Sequence, residues 1–205
     1  MINLLKKKFL SFFYKISPYS QAGQDIFALE LFGDKGTYSD IGSGLPAKGN
    51  NSYLLEVKNN WSGFCLDFDI SQKINWEKCP ERRNKVYWHD ATIFDYKNAT
   101  TENKLPIDID FLSCDIDPQE KTFLALKKVF TDGLRPKSIA FETDFYREKI
   151  DYSLLAGLFL KPYGYEIGVR NVYSGLKKNK IFETWFVHKS LNFKPIDYKE
   201  WVKKK

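Results

Sequence analysis

Five carboxylates recur where short apolar runs end: Asp40, Asp67, Asp90, Asp115 and Glu142, with Asp117 two residues beyond the fourth. Groups of this kind accept hydrogen bonds from hydroxyls, take a proton as general bases, or ligate a hard cation. Asp40 stands in Gly36-Thr37-Tyr38-Ser39-Asp40-Ile41-Gly42-Ser43-Gly44, an apolar run that breaks into glycines. A residue without Cβ takes φ > 0 and lets a ligand approach the backbone. In open α/β sheets ligands bind beyond the carboxyl ends of the strands, where such a turn lies. Asp67 follows the first of these glycines by about 25 residues, a separation at which a carboxylate holds ribose hydroxyls.

The surrounding pattern supplies elements to position these groups. Strands are expected over residues 36–41, 62–67, 86–89, 107–114 and 137–142, and helices over 26–32, 52–60, 118–130 and 152–161. Residues 70–84 read as a helix or loop ending at Pro80, and 95–105 as a charged surface connection. Two β-rich runs, 165–172 and 181–188, read as a hairpin. Such an alternation predicts an α/β fold: a mostly parallel sheet, one antiparallel strand near the C-terminus, and helices on both faces. The acids then line one rim of the sheet.

Composition narrows the class. At 205 residues, with 43% hydrophobic and 17% aromatic residues, the chain is one domain able to bury a core. No apolar run approaches the ~18 residues of a membrane span. Cys65, Cys79 and Cys114 have no metal-ligand spacing and read as free thiols of a reducing compartment, which predicts a cytoplasmic location. The net charge of +6 is carried entirely by Lys6, Lys7, Lys8, Lys203, Lys204 and Lys205. Basic ends are solvated tails more often than recognition surfaces, which argues against a nucleic-acid partner. Leu4, Leu5, Phe9, Leu10, Phe12, Phe13 and Ile16 alternate with lysines over residues 1–17. That pattern predicts a basic amphipathic helix docked on the domain, or a peripheral contact at a membrane surface.

Several blocks in order carry a resemblance. Ser20-Gln21-x-Gly23-Gln24-Asp25, Gly36-x-Tyr38-x-Asp40-Ile41-Gly42, Asn50-Asn51-Ser52-x-x-Leu55-Glu56, Trp61-x-Gly63 and Ile109-Asp110-Phe111-Leu112-Ser113-Cys114-Asp115-Ile116-Asp117-Pro118-Gln119-Glu120 together resemble the FkbM-type methyltransferases. The resemblance covers roughly residues 19–190. It implies the Rossmann-like fold of enzymes that use S-adenosylmethionine, and O-methylation of a sugar or small-molecule hydroxyl, the acceptor being a small molecule or a glycan. The chain then divides into a basic N-terminal helix (1–19), a methyltransferase domain (20–190) and a basic, aperiodic C-terminal tail (191–205). Around the cofactor the expected residues are Gln24, Asp40, Gly42, Ser43, Gly44, Asn51, Asp67, Asp90, Ala91 and Asp115; the expected catalytic acids are Asp115, Asp117 and Glu142, with Asp144 nearby. Two departures stand out: Asp117-Pro118 where the family often has Glu-Gly, and the stiff Ser43-Gly44-Leu45-Pro46 loop.

Three alternatives are weighed against this reading. Acids on adjacent strand ends could hold one Mg²⁺ that acidifies the hydroxyl, although no unambiguous ligand spacing is present. Gly42-x-Gly44-x-x-Ala47 matches a dinucleotide fingerprint and would suit an NAD-dependent enzyme. Against this, Asp40 would repel a pyrophosphate, and Pro46 delays the helix that the motif requires. The chain could also be a non-catalytic binding module that keeps the fold.

Overall fold

The computed structural model describes residues 16–147, 149–173 and 180–205; the helix expected at the N-terminus lies almost wholly outside the described residues. Helix α1 (Gln24–Phe32) leads into β1 (Thr37–Ile41), and a π-helical turn (Leu54–Lys58) into β2 (Ser62–Asp67). A 3-10 turn (Ile70–Gln72) and α2 (Lys73–Glu77) precede β3 (Lys85–Trp88), and α3 (Tyr96–Glu102) precedes β4 (Phe111–Cys114). Then come α4 (Gln119–Thr131), β5 (Ser138–Glu142), α5 (Tyr152–Leu160), β6 (Tyr165–Tyr173), β7 (Ile181–His188), β8 (Ile196–Asp197) and α6 (Tyr198–Lys203).

The strands form one sheet in the order β3-β2-β1-β4-β5-β7-β6-β8. Only β7 runs against its neighbours, pairing antiparallel with β5 and β6. From β1 the chain builds outward through β2 and β3, then returns to lay β4 on the other side of β1. The reversal between β1 and β4 is a topological switch point, the place where such sheets bind ligands.

Side-chain alternation along the strands divides the core in two. Phe64, Leu66, Leu112 and Phe141 pack on one face beneath α3, α4 and α5. Tyr38, Cys65, Phe111 and Trp185 pack on the other beneath α1, the π-helical turn and α6. Each such large side chain contributes roughly 1.5–3 kcal/mol on burial, so both faces must be covered. All three cysteines are buried free thiols. Among the described residues no helix is long and apolar enough to cross a membrane.

Three local expectations are corrected and one is refined. The fourth strand is only Phe111–Cys114: the Asp110 carboxylate instead accepts from Thr37 N at 2.8 Å and Lys137 Nζ at 2.8 Å, tying strand ends together. The connection at 95–105 carries α3, started by Asp95, whose side chain accepts from Asn98 N. The helix expected over 52–60 forms over 53–59, but Leu54–Lys58 is wound as a π-helix rather than an α-helix. The segment taken as a tail is built into the core, since Tyr198 and Trp201 in α6 are buried and ring-stacked.

The Gln24-Asp25 block opens α1 and is fully buried. Asp25 accepts from Ser17 Oγ at 2.5 Å and Ser20 Oγ at 2.6 Å. Burial pushes its carboxyl up from 3.8 to about 6, against the lowering effect of those hydroxyls. The folded state therefore holds this proton more tightly than the unfolded chain, and its contribution to stability falls as pH rises from about 4 through about 6. Asp25→Asn is expected to remove that decline. In paired melts the variant should gain on the wild type between about pH 4 and about pH 7. A constant difference across that range would refute the assignment.

Candidate functional site

A cavity of about 280 Å³ opens at the switch point. Gly42 contributes from the exit of β1, and Leu66, Asp67 and Phe68 from β2. His89, Asp90 and Ala91 follow β3, while Ile116, Asp117, Pro118 and Lys121 come from the turn between β4 and α4. It sits close to the small end of ligand pockets in size and is mostly apolar with a few placed polar groups.

The β1 exit is held tightly. Gly42 has φ 79 and donates its N–H to Leu66 O at 2.8 Å. Gly44 N–H donates to Asp67 Oδ2 at 2.6 Å, and Asp69 N–H to Asp67 Oδ1 at 2.8 Å. Each carboxylate oxygen keeps a second lone pair, so Asp67 can still accept from a ligand hydroxyl. Asp90 Oδ1 accepts from Thr92 Oγ1 at 2.7 Å and from Thr92 N at 2.8 Å, which holds its carboxyl below the usual range.

The other expected cofactor residues take different places. Gln24 is buried in the core, accepting from Ala22 N and donating to Glu183 Oε1 at 2.8 Å, and it does not line the cavity. Asp40 is buried behind the β1 exit, where it accepts from Ser52 Oγ at 2.7 Å; burial raises its pKa. Asn51 Nδ2 donates to Ser113 Oγ at 2.9 Å, while Asn51 Oδ1 and Ser43 Oγ are buried without a hydrogen-bond partner. Leaving such atoms unmatched costs about 1–3 kcal/mol each, which a polar ligand could recover.

At the adjoining rim, carboxylate oxygens of Asp117, Glu142 and Asp144 lie within 4.8 Å of one another. Arg147 Nη1 is 3.0 Å from Asp144 Oδ2 and 3.4 Å from Asp117 Oδ1. The Asp117 side chain is 74% exposed and that of Asp144 is inaccessible. Asp117 reaches toward Asp144 and Arg147, where a cation balances it. Asp115 instead brings its backbone carbonyl against Gly42. Three oxygens so close suit a hard cation, with Arg147 a competitor for two of the three groups.

Phe68, Ile116, Lys121 and Arg147 complete the cavity and rim without having been singled out from the sequence. Only Arg147 carried a local signal, since it stands three residues after Asp144 and can pair with it.

The fold and its cleft define the class: an α/β Rossmann-like methyltransferase architecture, the fold of proteins that use S-adenosylmethionine. One similar solved structure is a Pyrococcus horikoshii protein described as a candidate RNA methyltransferase, with 15% identity over 80% of this chain and 79% of that one, and a TM-score of 0.54. The METTL16 methyltransferase domain has 17% identity over 78% of this chain and 64% of that one, with a TM-score of 0.53. TYW2 of P. horikoshii, in complex with MeSAdo, has 13% identity over 81% of this chain and 61% of that one, with a TM-score of 0.52. The chain thus spans less than two thirds of the latter two. No protein-family model matches the chain, and no curated protein matches it significantly.

Proposed function

We propose that the chain is an S-adenosylmethionine-dependent methyltransferase that acts on a hydroxyl of a sugar or small molecule. The carrying observation is the cavity at the switch point, which gathers Gly42, Asp67 and Asp90 from the exits of three adjacent strands. The ordered FkbM-like blocks support the same reading. Asp67 would take the ribose hydroxyls, and Asp90 with Ala91 the adenine side. Ser43 Oγ and Asn51 Oδ1, buried and unmatched beside the glycine turn, suit the charged amino-acid end.

When bound, adenosylmethionine supplies a methyl group activated on a sulfonium. The chain must then orient the acceptor, keep water away and take the hydroxyl proton. A carboxylate at the rim can do the last, and Asp117 joins the rim to the cavity. Three carboxylates there would repel a phosphate-rich acceptor, which favours a neutral hydroxyl compound over the RNA named for one of the similar structures. The same electrostatics weigh against the pyrophosphate of NAD.

Titration calorimetry with adenosylmethionine and with NAD tests this directly. Adenosylmethionine should bind and NAD should not. Asp67→Ala should weaken the complex by roughly 1.5–3 kcal/mol, the loss of a charge-assisted hydrogen bond. An unchanged affinity in a folded variant would refute the placement of the ribose, and binding of NAD alone would overturn the methyltransferase reading.

A further inference from the structure

Four consecutive carbonyls in the loop after β1 are each taken by a side chain. Asn50 Nδ2 donates to Ser43 O at 3.0 Å and to Leu45 O at 3.1 Å. Trp76 Nε1 donates to Gly44 O at 2.9 Å, and Arg82 Nη1 to Pro46 O at 3.0 Å. The three side chains are themselves joined. Arg82 Nη1 also donates to Asn50 Oδ1 at 2.9 Å, and the guanidinium carbon lies 4.6 Å from the centre of the Trp76 ring.

In a trans peptide the C=O and N–H point opposite ways, so tying a carbonyl inward turns the following amide outward. Gly44 N–H accordingly meets Asp67 on the cavity wall. Arg82 is only 9% exposed, and its charge is matched by Glu56, whose Oε2 lies 2.8 Å from Nε. With the ion pair formed at Nε, Nη1 serves the loop as above, while Nη2 donates to Ser52 Oγ at 3.0 Å and to Cys65 Sγ in β2 at 2.9 Å. A lysine would keep the charge but not this planar fork.

We propose that Arg82, acting through Asn50 and Trp76, is a positioning residue that fixes the direction of the loop amides and so the grip on the amino-acid end of adenosylmethionine. The inference rests on the cofactor reading above. The nucleoside end depends on Asp67, Phe68 and Asp90, which stand at strand ends; of these, Asp67 touches the loop through Gly44 N–H.

Two measurements on Arg82→Lys decide it. The first is amide hydrogen exchange in the ligand-free protein. Amides over residues 44–52 should exchange about tenfold faster or more, with those of β1 and β2 unchanged. The second is titration with adenosylhomocysteine and with methylthioadenosine, which lacks the amino-acid end. Affinity for the first should fall about tenfold, and for the second less than about threefold. Unchanged loop exchange, faster exchange spread through β1 and β2, or equal losses for the two ligands would each overturn the proposal. A wild type that takes up neither nucleoside would sink the cofactor reading, while the exchange data would still decide whether Arg82 holds the loop. Should Arg82→Lys fail to fold, Asn50→Asp is held to the same outcomes, since it keeps the acceptor for Arg82 and removes both donations to the loop.

Discussion

Gly42→Ala is expected to leave no measurable adenosylmethionine binding and to lower the melting temperature by roughly 6–12 °C, the equivalent of about 3 kcal/mol at this chain length. Gly42 has φ 79, and a Cβ at this position would lie 1.7 Å from Asp115 O and 2.8 Å from Ile116 Cγ2. The obstructing carbonyl is backbone and cannot swing aside. Asp115 N–H is bonded to Ile41 O at 3.0 Å, and Gly42 N–H to Leu66 O at 2.8 Å, so the ends of three strands are pinned together. Relief requires β1 and β4 to part or the glycine turn to change course, and either removes a wall of the cavity. Gly44→Ala is the control. Its φ of 57 is also left-handed, but nothing lies within 4 Å of the added methyl. It should cost only about 1–2 kcal/mol and keep most of the affinity. If Gly42→Ala melts and binds like the wild type, the turn is not the seat of the cofactor.

The contrast between these two glycines marks what the sequence made legible. Gly42 and Gly44 look alike in a chain read by eye, and only the approach of Asp115 from a strand about 70 residues later in the chain separates them. The parallel strands were legible because Phe64-Cys65-Leu66 and Ile139-Ala140-Phe141 are unbroken apolar runs, as expected where both faces of a sheet are covered. Helix α3 was not, because Tyr96, Ala99 and Thr100 are its only buried positions and its other residues are polar. Helix α6 did show Tyr198, Trp201 and Val202 at helical spacing, but over one short stretch among lysines. In the site, Asp67, Asp90 and Ala91 follow from strand ends, so their place on the cavity was readable. Gln24 was not separable from a ligand-facing glutamine, because its partner Glu183 lies 159 residues away. Arg82 gave no signal at all: its contacts reach back to Pro46, Asn50 and Ser52 across a fold that a single sequence does not display.

Asp117→Asn is expected to cut methyl transfer by about 10²–10⁴-fold, the range for a lost general base, while cofactor affinity changes less than about threefold. Among the described residues Asp117 alone both lines the cavity and belongs to the acidic trio at the rim. Its exposed carboxylate is accessible to an acceptor hydroxyl, whereas the Asp144 side chain is sealed beneath Arg147. The amide keeps the shape of the group but cannot take the proton. Asp115→Asn should do less, because Asp115 does not line the cavity and it is its backbone carbonyl that lies against Gly42. Glu142→Gln tests whether the trio acts as a unit. If EDTA abolishes transfer and Mg²⁺ restores it, the trio is a ligand set, and Asp117→Asn should raise the Mg²⁺ concentration needed rather than simply lower the rate. Bound adenosylmethionine with no transfer to any hydroxyl acceptor would favour the non-catalytic module. If Asp117→Asn and Asp115→Asn both retain near-full transfer on an identified acceptor, the proton leaves by another route, and the rim acids serve to hold Arg147 in place rather than to act as base.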